Sequence, residues 1–124
     1  YIAANKILSL PIRELTHVER VWMAKVVYHR YVGMKEKKQI EKSIINLLTE
    51  EQKASSFAVG LGLRFIYIFC GGYPKNLEKI KLKIKKNKLI CKIKPEAKSL
   101  MDKEVERRLK NFANASNLNY EIIF

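Results

Sequence analysis

The chain has 124 residues, 48% of them apolar, which is long and apolar enough for a hydrophobic core without disulfides or structural metal and excludes a disordered chain. Lysine and arginine number 25 against 12 acidic residues, giving a net charge of +13 that points to polyanions; because lysine-rich composition is also a property of some genomes, position along the chain carries the argument. Cys70 and Cys91 show no Cys-x-x-Cys spacing, no apolar run approaches the roughly 18 residues of a membrane span, and no signal-peptide order is visible, so a cytoplasmic, reducing setting without a membrane partner is expected.

Ile2, Ala3, Ile7 and Leu8 suit one face of a short first helix that Pro11 stops. With no initiator methionine before it, the chain reads as a fragment, a split gene product or a trimmed piece of a longer protein. Thr16 and Glu19 form a capping-box pattern, so a helix should run from about His17 to Val32 and end at Gly33. It is apolar over more than one face, which makes it central, although Lys25 interrupts it. Ile40, Ile44, Leu47 and Leu48 mark the stripe of a further helix. Thr49 and Gln52 repeat the capping box and open a helix from about Glu50 to Phe69. Gly60 and Gly62 inside it each cost about 1 kcal/mol relative to alanine, which close helix packing would offset.

Gly71, Gly72 and Pro74 close that helix, and the period then changes from helical to twofold. Lysine alternates with apolar residues from Lys79 to Lys85, and a second alternation runs from Leu89 to Ile93. A tight turn at Lys86 and Asn87 pairs Ile84 with Leu89, Leu82 with Cys91 and Ile80 with Ile93, leaving one face uniformly apolar. Pro95 ends the hairpin, a helix from about Ser99 to Ala115 should cover the apolar face, and Tyr120 to Phe124 should add a third strand. The fold class is therefore α+β: a helical part over 1–70, then a small β-β-α-β segment over 71–124 with a three-stranded sheet and a covering helix.

On the other face of that hairpin Lys81 falls opposite Lys92 and Lys79 opposite Lys94, an arrangement that like-charge repulsion disfavours. Lys79, Lys81, Lys83, Lys85, Lys92 and Lys94 form a row spaced by roughly 7 Å, with Lys75, Lys86, Lys88 and Lys98 nearby, and a linear polyanion could neutralise it. The plain alternative is a solvated face that guards a sheet edge. Nucleic acid fits less well, because no aromatic residue is interleaved with the lysines between Lys75 and Lys98.

His17 and His29 lie too far apart on one helix to share a metal; His17 reads as a first-turn structural residue and His29 as a partly exposed one. Arg64 in an apolar helix calls for a partner, Glu19 or Glu106, or else for an anion. There is no nucleophile motif, phosphate-cradling loop or carboxylate pair, so no catalytic residue and no metal ligand is assigned.

The order Thr16-His17-Val18-Glu19-Arg20, Tyr28-His29-Arg30-Tyr31-Val32-Gly33, Gly60-Leu61-Gly62-Leu63-Arg64-Phe65, Gly71-Gly72 and Val105-Glu106-Arg107-Arg108-Leu109 resembles the C-terminal region of the exopolyphosphatase and guanosine pentaphosphate phosphatase family. The resemblance implies a degenerate HD-like helical part followed by a small terminal segment, in a bacterial enzyme. In that family catalysis, with its divalent metal such as magnesium, belongs to upstream actin-like domains, so no cofactor is expected in this chain. It further implies the parent enzyme's catalytic domains as partners, polyphosphate as the anion, and a homodimer. His17, Glu19, Arg20, Arg30 and Arg64 would belong to the helical framework, with a structural or anion-holding role. Two rival readings stand beside it: an independent nucleic-acid-binding domain, and a self-contained HD-type phosphohydrolase, whose His-Asp doublet is missing.

Overall fold

The computed structural model describes residues 2–9, 15–34 and 42–124. Helices α1 (Ile2–Ser9), α2 (His17–Val32), α3 (Lys42–Ile45) and α4 (Glu50–Cys70) come first, then strands β1 (Ile80–Lys85) and β2 (Lys88–Ile93), helix α5 (Lys103–Ala115) and strand β3 (Asn119–Ile123). The expectations placed on Leu10, Pro11 and Ile40 lie outside the described residues. Two compact units form, Tyr1–Leu61 and Gly62–Phe124.

In the first unit α1 packs along α2, with Ala4, Ala24 and Tyr28 at its centre and Ile7, Leu8 and Val32 against them. Thr16 caps α2 by accepting from the Glu19 amide at 3.1 Å, and Gly33, with φ 72°, closes it. The second capping box is complete: Thr49 Oγ1 accepts from the Gln52 amide at 3.1 Å while Gln52 Oε1 accepts from the Thr49 amide at 2.9 Å. Each such cap is worth about 1 kcal/mol, which fixes the start of α4.

His29, expected to be partly exposed, is 1% exposed. The reason is Gly60: a Cβ there would lie 2.6 Å from His29 Cβ and 2.8 Å from the Val26 carbonyl oxygen, so α4 approaches α2 more closely than any other residue allows. The imidazole meets the rings of Tyr28 and Phe57 edge-on, with centroids 5.2 and 4.7 Å away. Lys25 Nζ lies 3.0 Å from His29 Nε2, and an ammonium can only donate; Nε2 therefore accepts, and Nδ1–H donates to the Gly33 carbonyl at 3.1 Å. Lys25, an interruption in the sequence pattern, thereby gains partners that include the Lys53 carbonyl at 3.4 Å.

By length and composition α4 is long and apolar enough to cross a membrane, the only described helix that is, although no run of that length stood out in the sequence. Its composition follows from serving two cores: Ser56 and Leu61 are buried in the first unit, Phe65, Phe69 and Cys70 in the second.

In the second unit the strand order is β1-β2-β3, with β2 antiparallel to β1 and parallel to β3. The hairpin register matches the sequence reading residue for residue, from Ile80 opposite Ile93 to Lys85 opposite Lys88. Lys86 and Asn87 turn it with φ of 50° and 59°, the two left-handed residues that a right-twisted two-residue hairpin needs. Helix α5 is the crossover between β2 and β3, and Val105, Leu109 and Ala113 pack on Leu89, Cys91 and Ile93, with Phe65 and Phe69 completing the core. Fully burying each of the larger side chains contributes about 1.5–3 kcal/mol. Gly62 makes room for Phe112, whose ring edge would lie 2.9 Å from a Cβ.

Further expectations need adjusting. Helix α3 ends at Ile45, so Leu47 and Leu48, expected on its stripe, fall in the turn that leads to α4, where Leu48 is nonetheless buried. Helix α5 starts at Lys103, not near Ser99, because the Asp102 carboxylate accepts from the Val105 amide at 2.9 Å, while Pro95–Leu100 forms a 3-10 segment. The apolar face of the hairpin is only partly covered: Leu89 is 2% exposed, but Leu82 and Ile84 on β1 are 39% and 66% exposed.

A candidate anion groove on the sheet

The odd-numbered residues of β1 all project to the face opposite α5, because side chains alternate along a strand. Lys81, Lys83 and Lys85 are exposed there, and across the hairpin Lys92 and Lys88 are exposed too. Lys81 stands directly opposite Lys92. The Lys94 amide donates to the Lys79 carbonyl at 2.9 Å, which continues the ladder and sets Lys79 beside Lys94 on the same face.

Lys79, Lys81, Lys92 and Lys94 thus converge on an open groove of about 330 Å³, lined further by Glu78, Ile93, Pro95 and Phe124. The nearest acidic residue of the sheet, Glu121, pairs with Lys88 at 3.5 Å. Among the described residues, the ion pairs leave Lys79, Lys81, Lys83, Lys85, Lys92 and Lys94 without a carboxylate. Elsewhere on this unit acids do find partners. Hydrogen bonding from Arg107 holds the Glu104 carboxyl below its usual range, and Glu106 accepts from the Tyr120 hydroxyl at 3.2 Å. Burial, reinforced by that bond, pushes the Tyr120 hydroxyl up. Acidic residues are available to the fold, but few are placed on this face.

Lys83 and Lys85 continue the row toward the turn, beyond the groove. The contribution that sequence reasoning missed is Phe124: the terminal strand carries its ring to the groove, and Lys98 Nζ sits 5.0 Å from its centroid. A parallel third strand following a covering helix was the available signal, since parallel pairing with β2 is what returns the chain end to this side of the unit.

The arginine and histidine candidates of α2 are spread along that helix. His17 and Glu19 are exposed at the start of α2, Arg20 is half-buried, and Arg30 stacks on Tyr31 at 4.2 Å near the helix end. His17 and Arg30 are about 20 Å apart along the helix axis at 1.5 Å per residue. Arg64 is half-buried on α4. Among the described residues, no three His, Cys, Asp or Glu side chains stand close enough to hold a metal ion.

The model of the family described as exopolyphosphatase, C-terminal, matches residues 3–123. The chain belongs to that family. The match covers both units of this exopolyphosphatase C-terminal chain, so helical part and sheet are parts of one inherited region. No curated protein matches it.

Proposed function

We propose that this exopolyphosphatase C-terminal chain is an accessory module that holds inorganic polyphosphate for catalytic domains located elsewhere in the enzyme. The observation that supports this reading is the convergence of Lys79, Lys81, Lys92 and Lys94 on one open groove, extended by Lys83 and Lys85, where four lysines outnumber the one acidic residue, Glu78, in the lining. Mutual repulsion of these ammonium groups is relieved when a linear anion lies along them and releases its counterions. A phosphate chain matches a row of point charges, for which lysine is suited, whereas bidentate recognition of a single phosphate would call for arginine. Guanosine pentaphosphate is the alternative anion, and a role in pairing two copies of the enzyme is a further expectation of the family. The chain's cytoplasmic setting is part of the same proposal.

Replacing Lys79, Lys81, Lys83 and Lys92 by glutamine should weaken polyphosphate binding by roughly tenfold or more, given the number of phosphate contacts removed. Unchanged affinity in a direct titration would refute the reading. Phe124 favours a second one, nucleic-acid binding, since an aromatic ring beside lysines is what base stacking uses. One face of that ring is engaged by Lys98, which reduces the stacking surface. Competition between polyphosphate and single-stranded RNA of equal charge separates the two.

A further inference from the structure

Among the described residues strand β1 pairs on one side only, since the sheet order is β1-β2-β3. Hydrogen bonding in an antiparallel ladder alternates, and the Lys94 amide bonds the Lys79 carbonyl. Odd-numbered residues of β1 therefore bond to β2, and the backbone amides and carbonyls of Leu82 and Ile84 point to the open edge. Lysines on an edge strand are a common guard against unwanted pairing. They do not account for Leu82 and Ile84, which remain 39% and 66% exposed on the other face while their cross-strand partners Cys91 and Leu89 are 0% and 2% exposed. Edge, lysine row and uncovered apolar pair together describe a template with one empty position beside it.

We infer that the open edge of β1 is a strand-addition site for an extended segment of alternating acidic and apolar residues. Such a segment sets its carboxylates opposite Lys81, Lys83 and Lys85 and its apolar side chains beside Leu82 and Ile84, while its backbone takes the outward hydrogen bonds. A second copy of β1 is the wrong occupant, because in either direction it lays lysines against lysines. The inference shares Lys81, Lys83 and Lys85 with the polyphosphate reading but rests on different observations, the open backbone edge and the exposed pair Leu82 and Ile84.

The test titrates the full chain with a synthetic peptide of alternating glutamate and valine, and with a peptide of the same composition in block order, while following amide exchange by NMR. The alternating peptide should bind about tenfold more tightly, and exchange at Leu82 and Ile84 should slow by about tenfold, with little change at Lys81 and Lys83, already bonded to β2. Leu82→Pro removes an outward N–H and spares the hairpin's own bonds, so it should abolish binding of the alternating peptide while Ile90 and Lys92 stay protected. If those amides lose protection, Ile84→Asp, at an exposed position, decides instead by charge repulsion. Equal affinity for the block peptide, binding without slowing at Leu82 and Ile84, or slowing that depends on protein concentration without peptide would each overturn the inference, the last by making a second copy the occupant.

Discussion

Gly60 and Gly62 sit three turns into a helix and carry different loads. At Gly60 an added Cβ meets the Val26 backbone oxygen at 2.8 Å, and backbone cannot swing aside; at Gly62 it meets the Phe112 ring, which can. Alanine gains about 1 kcal/mol of helix propensity at either site. Gly60→Ala should nevertheless destabilise the chain by about 1–3 kcal/mol, as overpacking does, and Gly62→Ala by distinctly less, both read from urea midpoints. The sequence made both glycines legible as sites of close packing, but not which neighbour each admits, because that depends on contacts between residues far apart in the chain. The same close approach buries His29, which helical spacing alone placed at a half-exposed position. Cys91 carries a further residue-scale consequence. Burial pushes its thiol up to about 11, so the folded state holds this proton more tightly than the unfolded chain, whose thiols titrate near 8.5. Stability from this source is intact below about pH 8.5 and is lost as pH rises toward 11. Urea midpoints measured from pH 8 to 11 should fall more steeply for the natural chain than for Cys91→Ala.

Among the elements, the β1–β2 hairpin was the most legible, since a one-residue slip would set the lysines of one strand beside the apolar residues of the other, and the two-residue turn at Lys86 and Asn87 selects one register among those that avoid it. The turn itself is not optimal. Lys86 and Asn87 both adopt positive φ, a conformation that costs little for asparagine and least for glycine. The pair Lys86→Asn and Asn87→Gly should therefore raise stability by about 0.5–1 kcal/mol without moving the register, seen as a higher denaturant midpoint and unchanged cross-strand contacts in NMR spectra. Where the sequence reading faltered, at the start of α5, a local competition decided: residues 95–100 have helical character but sit behind Pro95, and the Asp102 side chain offers the better cap. Its replacement by alanine should cost about 1 kcal/mol and fray the first turn of α5, visible as faster exchange of the Val105 amide. The incomplete cover over Leu82 and Ile84 was beyond reach of pattern reading, because alternation states which face is apolar and not how far a single helix extends across it.

For the whole chain the decisive quantity is where the charge lies, since +13 spread evenly would attract any polyanion weakly and without register. The fold concentrates part of that charge on one side of a three-stranded sheet, with Lys88–Glu121 as the ion pair on that face. The groove's lysine members were readable from the alternating pattern; the ring of Phe124 was not, because it arrives from the far end of the sequence through parallel pairing of β3 with β2. Two triple variants of equal net charge separate position from total. Lys81, Lys92 and Lys94 changed to glutamine removes groove lysines, whereas Lys103, Arg107 and Lys110 changed to glutamine removes exposed charges on α5. If each lysine removed takes with it one phosphate contact, the groove variant should lose about two units from the slope of log affinity against log salt concentration, by analogy with single-stranded nucleic acid at about 0.7 per contact. The helix variant should keep the slope and lose little affinity at moderate salt, because α5 packs on the face of the sheet opposite the lysine row and charges that do not touch the bound anion are screened by salt. Equal losses in the two variants would mean that polyphosphate responds to the total charge and that the row of lysines has no special claim on it.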